Sequence, residues 1–385
     1  MKKKILHIIT SKAFGGLELY VTQLVKELQK SGLSNYVYCQ YNSRIENELL
    51  ATEIQIKHCK SDFYFDVFDL FKIIQLIKKE KIDIIHSHTR MDVWKASLAK
   101  MFVNKLPHIH SVYMLPTNKR DIIHRFIYSK VDAIVSSSQF SNLLIEKNYP
   151  ISSSKIHLIR YGRDVKKYKM ELDKRQEIRN MWQCSDDDIV VISMSRVDEQ
   201  KGLRDFALSF NYLPSHLKEK IKFWIVGEPT IDKIDRDGNP IYEAESKNLY
   251  NWLKDYVQKP DIQGRIMLIP FQKDFISYLG SADIFILPSR NEMYSLAVID
   301  AMLLSLPVIG TRAEGTQEQI SDSYNGILVD ISSPKQIAEA ITKLVANPDM
   351  IRFISNNAIL KAKKEHNWEK TIEDWIKLYS SFLRL

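Results

Sequence analysis

The chain has 385 residues, of which 45 % are apolar and 26 % charged, with a formal net charge of +8. Such a length exceeds one ordinary core and fits two domains of roughly 150–200 residues each, and the composition is that of a soluble protein. Its apolar runs are only strand-sized, which excludes a bilayer span, while the scattered Cys39, Cys59 and Cys184 match no metal spacing and suit a reducing cytoplasm.

Charge is uneven along the chain. Residues 1–165 hold 25 Lys and Arg against 15 Asp and Glu, so the whole positive excess lies in the first half. A basic half suggests an anionic partner, either a lipid surface or nucleic acid. No nucleic-acid module is visible, which favours a membrane surface over DNA or RNA.

The opening Met-Lys-Lys-Lys has the look of a signal n-region, but its apolar stretch stops within a few residues and reads as a first strand over Lys4–Thr10. Gly15-Gly16 follows, then a helix-period face of Leu17, Val21, Leu24, Val25 and Leu28. A glycine pair at a strand-to-helix junction lets the backbone approach a ligand, though a plain turn reads equally well. Strands are expected at Tyr36–Tyr41, Ile54–His58, Ile82–His86, Pro107–Val112, Ala133–Ser136 and Lys155–Ile159. Helices are expected at Asp66–Lys81, Met91–Phe102, Asp121–Lys130 and Gln139–Asn148. This alternation predicts an α/β architecture with a mainly parallel sheet covered on both faces, whose ligands bind at the carboxyl edge.

Tyr161-Gly-Arg-Asp marks a boundary, because polar residues dominate from there to about Lys174. The alternation then restarts with a strand at Ile189–Ser195. Pro229–Pro240 reads as an insertion with a turn at Asp237-Gly238-Asn239, and helices from Pro334, Pro348 and Trp368 close the chain.

Two stretches carry chemistry. Arg196 and Lys201 stand five residues apart after the first strand of the second half, where a planar guanidinium and a compact ammonium could clamp a diphosphate. Residues 288–309 read as strand, loop, helix and strand, with Glu292 ahead of a helix opened by Ser295 and Asp300 inside it. Amides at such a helix start receive phosphate, and a carboxylate holds sugar hydroxyls.

These residues resemble the family 4 glycosyltransferases, which retain anomeric configuration. The family's Arg-x4-Lys matches Arg196 and Lys201, its Val-Gly matches Val226-Gly227, and its Glu-x7-Glu matches Glu292 and Asp300. The downstream Gly-x-x-Glu matches Gly315 to Glu318, ahead of Asn325-Gly326. In the first half the match is looser, resting on Gly15-Gly16 and on Tyr-Gly-x-Asp where the family usually has Asn-Gly-x-Asp.

The resemblance implies the GT-B fold, two Rossmann-like β/α/β domains facing across a cleft. Residues 1–165 would form the acceptor domain and residues 166–365 the nucleotide-sugar domain, with a helix at 366–385 packing back on the first. Arg196 and Lys201 would stabilise the leaving diphosphate, aided by amides at Ser295 and Leu296, and Glu292 would lie near the donor sugar. Asp300 would bind the ribose, while Gly16 and Gly227 would border the donor and Gly15 the acceptor. The enzyme would need no metal or other cofactor. It would move a sugar from a nucleotide donor, a uridine diphosphate sugar first and GDP-mannose next, to a glycan or lipid-linked acceptor. Cell-surface polysaccharide or lipopolysaccharide is the expected product, made in the cytoplasm or at the inner face of its membrane. A sugar-nucleotide epimerase and a non-catalytic sugar-nucleotide or glycan-binding protein are the alternatives.

Departures from the family pattern are specific. Asp300 is one methylene shorter than the usual glutamate, roughly 1.5 Å of reach, and Ser295 replaces a glycine, where it could act as an N-cap. The family's histidine after the fifth strand falls in Pro107-His-Ile-His-Ser-Val-Tyr, leaving His110 and Tyr113 as alternatives. His86-Ser-His88 imitates a pair of metal ligands without an evident third, and reads as loop histidines satisfied by hydrogen bonds. Asp186-Asp187-Asp188 and Asp235-Arg-Asp237 imitate a metal-binding Asp-x-Asp, but in turns of the wrong context.

Overall fold

The structure, a computed structural model, describes residues 2–11, 15–59, 66–103, 105–234 and 240–383. The chain divides into two compact units, one of residues 1–162 with 366–385 and one of residues 163–365. The first unit ends at Gly162, three residues before the expected boundary at 165.

In the first unit the strands are β1 (Lys4–Ile8), β2 (Ser34–Gln40), β3 (Gln55–Cys59), β4 (Ile84–Ser87), β5 (His108–Ser111), β6 (Ala133–Ser136) and β7 (Ile156–Leu158). They form one parallel sheet in the order β3-β2-β1-β4-β5-β6-β7. Helices cover both faces, so the central strands need apolar residues on both sides, and Ile5, Leu6, Ile84, Ile85 and Ile134 are fully buried. The order reverses at β1, which lies between β2 and β4. The C-terminal helix Trp368–Phe382 belongs to this unit. Its Trp368 lies stacked on Tyr20, with ring centroids 5.6 Å apart.

The second unit has β8 (Ile189–Met194), β9 (Ile221–Val226), β10 (Ile231–Ile234), β11 (Pro240–Tyr242), β12 (Ile266–Ile269), β13 (Ile284–Leu287), β14 (Val308–Thr311) and β15 (Ile327–Val329). Six of these make a parallel sheet in the order β12-β9-β8-β13-β14-β15, around a core that includes Val191, Phe206, Phe223, Ile286 and Ile341. The expected insertion is an antiparallel hairpin, β10 with β11. Its turn, with the Asp235-Arg-Asp237 and Asp237-Gly238-Asn239 signals, lies outside the described residues.

Sequence periodicity misses the helices that apolar spacing does not build. Leu172–Met181 begins inside the tract read as a polar boundary. It is fixed by charge: Arg175 Nη2 lies 2.6 Å from Asp283 Oδ1, and the buried Arg179 donates to Asp283 and to the carbonyl of Ser281. Such long-range ion pairs leave no local signature. Arg44–Leu49 and Glu314–Gln319 are short helices missed for a related reason, since six residues hold too little period to read.

Candidate active site

In the second unit the sheet order reverses at β8 and β13, the place where open parallel sheets take ligands beyond their carboxyl ends. The turn after β8 carries Arg196 and Lys201, and the loop after β13 carries Ser289 to Glu292. A backbone bond from Arg290 N–H to the Gln200 carbonyl, 2.7 Å, ties the two loops together. Lys201 Nζ lies 2.8 Å from Glu292 Oε2, both side chains being mostly buried, and Ser289 Oγ donates to the same oxygen at 3.4 Å. Arg196 is exposed, and its guanidinium has no side-chain partner among the described residues. The expected cation pair therefore divides into one anchored ammonium and one guanidinium open to a ligand.

Two glycines let these loops approach. Gly202, directly after Lys201, has φ +64°, and a Cβ there would lie 1.9 Å from the Pro288 carbonyl oxygen. Gly227, just past β9, has φ +148° and would place its Cβ 1.9 Å from the Ser195 carbonyl oxygen. What Gly227 admits is thus the neighbouring strand's backbone. The Gly-x-x-Glu segment is fastened to the same place, because Gly315 N–H donates to the Glu292 carbonyl at 3.0 Å.

Ser295 is the N-cap of the helix Leu296–Leu303, its Oγ accepting from Val298 N–H at 3.4 Å. Its own backbone amide is committed, donating to Gln319 Oε1 at 2.8 Å, while Gln319 Nε2 returns a 2.8 Å bond to the Ser295 carbonyl. Gln319 is buried and the sequence reading missed it. With the Ser295 amide taken, the first amide belonging to the helix itself is that of Leu296.

Asp300 is buried and engaged on both oxygens. Arg163 Nε donates to Oδ1 at 2.5 Å and Nη2 to Oδ2 at 3.3 Å, and Tyr168 donates its hydroxyl to Oδ1 at 2.6 Å. Burial, then the charge of Asp300, pushes the Tyr168 phenol well above its ordinary range, so it stays a donor. Neither Arg163 nor Tyr168 was singled out as a functional residue from sequence. Both stand more than 130 residues from Asp300, and Tyr168 falls in the tract read as a boundary.

In the first unit, Gly15 precedes the helix Gly16–Lys30, and Gly15 N–H donates to Glu18 Oε2 at 2.8 Å. A buried carboxylate thus already stands at that helix start. His110 lies inside β5, buried, with Nδ1 against the Ser87 hydroxyl at 3.0 Å and carbonyl at 3.2 Å. Tyr113, past the strand end, sets its hydroxyl 3.1 Å from His88 Nδ1. Of the two alternatives, Tyr113 is partly exposed and His110 is buried.

The histidines form a buried polar layer. Contrary to the expectation that His86 and His88 lack a third neighbour, His7 joins them, with ligand nitrogens within 4.8 Å of one another. All six ring nitrogens have protein partners: His7 bonds His88 and Asn35, His88 bonds His7 and Tyr113, and His86 bonds Tyr379 and Ser111. If the Asn35 oxygen accepts from His7 Nε2, then His7 Nδ1 accepts from His88 and His88 Nδ1 accepts from Tyr113. Both rings are then neutral, as their burial demands: desolvation lowers His7 to about 4 and His88 well below its usual value. His86 thus lies on β4 and His88 one residue past it, both are satisfied by hydrogen bonds, and the chain through His7 and His88 ends on Tyr113.

Residues 174–361 match the Glycosyl transferases group 1 family, and residues 14–167 match Glycosyltransferase Family 4. The capsular polysaccharide biosynthesis glycosyltransferase CapM of Staphylococcus aureus is 23 % identical over 333 residues, 83 % of this chain and 82 % of that protein. An Escherichia coli UDP-Gal:alpha-D-GlcNAc-diphosphoundecaprenol alpha-1,3-galactosyltransferase is 22 % identical over 326 residues, 82 % of this chain and 79 % of its own. Among solved structures, Anabaena HepE in complex with UDP and glucose superposes with a TM-score of 0.84 at 16 % identity, covering 98 % of this chain and 100 % of that one. The two parallel-sheet, Rossmann-like units are those of the GT-B fold. The chain belongs to the group 1, family 4 type of glycosyltransferases, and it is an enzyme of sugar transfer.

Proposed function

We propose that this enzyme moves a sugar from a uridine diphosphate donor, with GDP-mannose the next choice, to a glycan or lipid-linked acceptor, with retention of anomeric configuration. The observation that carries the reading is the Lys201–Glu292 pair, 2.8 Å apart at the ends of the adjacent strands β8 and β13, with Arg196 open beside it in sequence. A preformed positive site of this kind stabilises the charge that develops on a leaving diphosphate and needs no metal to do so. Glu292 orients the ammonium and stands where a donor sugar hydroxyl can reach it. Leu296 offers a helix-start amide to phosphate, and Asp300 takes the ribose hydroxyls once Tyr168, the weaker of its two partners, yields. Tyr113 and Gly15 are assigned to the acceptor side. His110 serves that side only through the β-sheet that positions Tyr113.

The product class follows from the relatives, whose names place them in capsular polysaccharide, lipid-linked oligosaccharide and lipopolysaccharide core synthesis. No described helix is long and apolar enough to cross a membrane. The test is transfer from a panel of nucleotide sugars by Lys201→Ala and Glu292→Gln. Each should lose about 10²-fold or more in kcat while keeping its melting temperature within a few degrees. Unchanged turnover in either variant overturns the assignment.

A further inference from the structure

A single row of hydrogen bonds crosses one face of the first unit's sheet. The register sets Ile5 opposite Asn35 and His7 opposite His86, so Asn35 and His7 share a face with His86, and His88 lies two residues further along it. The row starts at Gln29 on the helix Gly16–Lys30 and passes through Asn35, near the beginning of β2, and His7 on β1. It continues through His88, just past β4, and ends at Tyr113, two residues past β5. It therefore climbs from inside the sheet to the carboxyl edge.

One backbone group fixes its direction. Asn35 N–H, which can only donate, lies 3.0 Å from Gln29 Oε1, so that atom is the amide oxygen and not the nitrogen. The Asn35 side-chain atom 3.1 Å from the same oxygen must then be Nδ2, which turns Oδ1 toward His7 Nε2 at 3.1 Å. His7 thus carries its proton on Nε2, and burial keeps the ring neutral, so Nδ1 is bare. His88 Nε2, 3.0 Å from that bare nitrogen, must donate to it. The buried, neutral His88 is then bare at Nδ1, and the Tyr113 hydroxyl 3.1 Å away donates there. Reversing any one of these bonds would set two protons or two lone pairs against each other.

We propose that Gln29, Asn35, His7 and His88 are positioning residues that hold the Tyr113 hydroxyl as a hydrogen-bond acceptor toward the incoming sugar acceptor. With its proton committed to His88, the phenol has only oxygen lone pairs to offer. Such a group binds a hydroxyl or an amine by its proton and disfavours a phosphate or carboxylate, which brings none. A nucleophilic hydroxyl held in this way keeps its own lone pairs free for attack, whereas a donating tyrosine would occupy one. The row thus selects the hydroxyl end of a lipid-linked glycan, and not its phosphate end, for the place at Tyr113. The inference rests on the assignment of Tyr113 to the acceptor side. Its proton positions are read without any substrate, so the two readings fail separately.

The experiment is nitrogen-15 NMR of the full chain labelled at histidine, in which couplings of Nδ1 and Nε2 to the ring protons distinguish the two neutral tautomers. The signals are assigned by their loss in His7→Gln and His88→Gln. Both rings should be the Nε2–H tautomer at neutral pH. Gln29→Lys presents only donors to Asn35, so the amide should turn and both rings should shift to Nδ1–H. Gln29→Glu still accepts and should keep the wild-type pattern. In hydrolysis of UDP-glucose, where water is the nucleophile, Tyr113→Phe and Gln29→Lys should each lower kcat ~10-fold, the worth of one hydrogen bond. The UDP dissociation constant should stay near that of wild type, and Gln29→Glu should keep the wild-type rate. An Nδ1–H tautomer at either ring of the wild type overturns the proposal. So do wild-type tautomers and rate in Gln29→Lys, or an unchanged rate in Tyr113→Phe.

Discussion

Arg163 Nε lies 2.5 Å from Asp300 Oδ1, and Tyr168 shares that oxygen at 2.6 Å, so the carboxylate assigned to the ribose is already bonded by its own chain. A carboxylate oxygen with two donors has little left for a third. Nucleotide binding at Asp300 must therefore displace a partner, and the neutral tyrosine is the weaker of the two. Tyr168→Phe should tighten UDP binding several-fold, the equivalent of roughly 1 kcal/mol for one hydrogen bond, as read by calorimetry. Unchanged or weaker binding would mean that Asp300 is a structural anchor for the Arg163 segment and not a ribose ligand.

The turn that carries Lys201 should tolerate no side chain at Gly202. Its φ of +64° and a Cβ position 1.9 Å from the Pro288 carbonyl oxygen combine strain with a backbone clash that no rotamer relieves. Gly202→Ala should cost more than about 2 kcal/mol by urea unfolding and should lower transfer by displacing the ammonium. A variant as stable as wild type would show that the loop after β13 moves freely.

Gln319 should matter to nucleotide affinity although it is buried behind the helix start. Its amide holds both the N–H and the carbonyl of Ser295 at 2.8 Å, fixing where the Leu296 amide points. Gln319→Leu leaves two buried backbone groups unpaired, at a cost of about 1–3 kcal/mol each before relaxation. UDP affinity should fall with stability, and Gln319→Glu should recover only the bond to the N–H. Full nucleotide affinity in the leucine variant would separate this clamp from the phosphate site.

The histidine layer predicts acid lability. Burial lowers His7 and His110 to about 4 and holds His86, His88 and His108 well below their ordinary value. Between pH 6.5 and 4 the unfolded chain binds protons that the folded chain refuses, so stability falls as pH falls through that window. From pH 7 to 5 the loss is on the order of 2 kcal/mol for His7 and for His110. Urea unfolding at the two pH values measures it, and a pH-independent midpoint would contradict a neutral, buried layer.

Local sequence was enough for the sheets. Ala133–Ser136 and Ile284–Leu287 are short, mainly apolar runs, as strands buried on both faces usually are, and the helix Trp368–Phe382 declares itself through Trp375, Leu378 and its period. The cation and carboxylate positions were equally visible, since Arg196 with Lys201 and Glu292 with Asp300 are read as spacings within two short stretches. Partners were not. Lys201 meets Glu292 across 91 residues, Asp300 meets Arg163 across 137, and His86 meets Tyr379 across 293. Each is a choice among many equally charged or polar candidates, made by which strand ends the crossovers bring together. The sequence alone determined the class of enzyme and the inventory of its site, because periodicity and motif spacing are local properties. Only the tertiary structure decided that one cation is anchored while the other stays open, and that Asp300 is held by the chain itself. Hydrogen-bond partnership depends on distances of about 3 Å, which sequence separation does not encode.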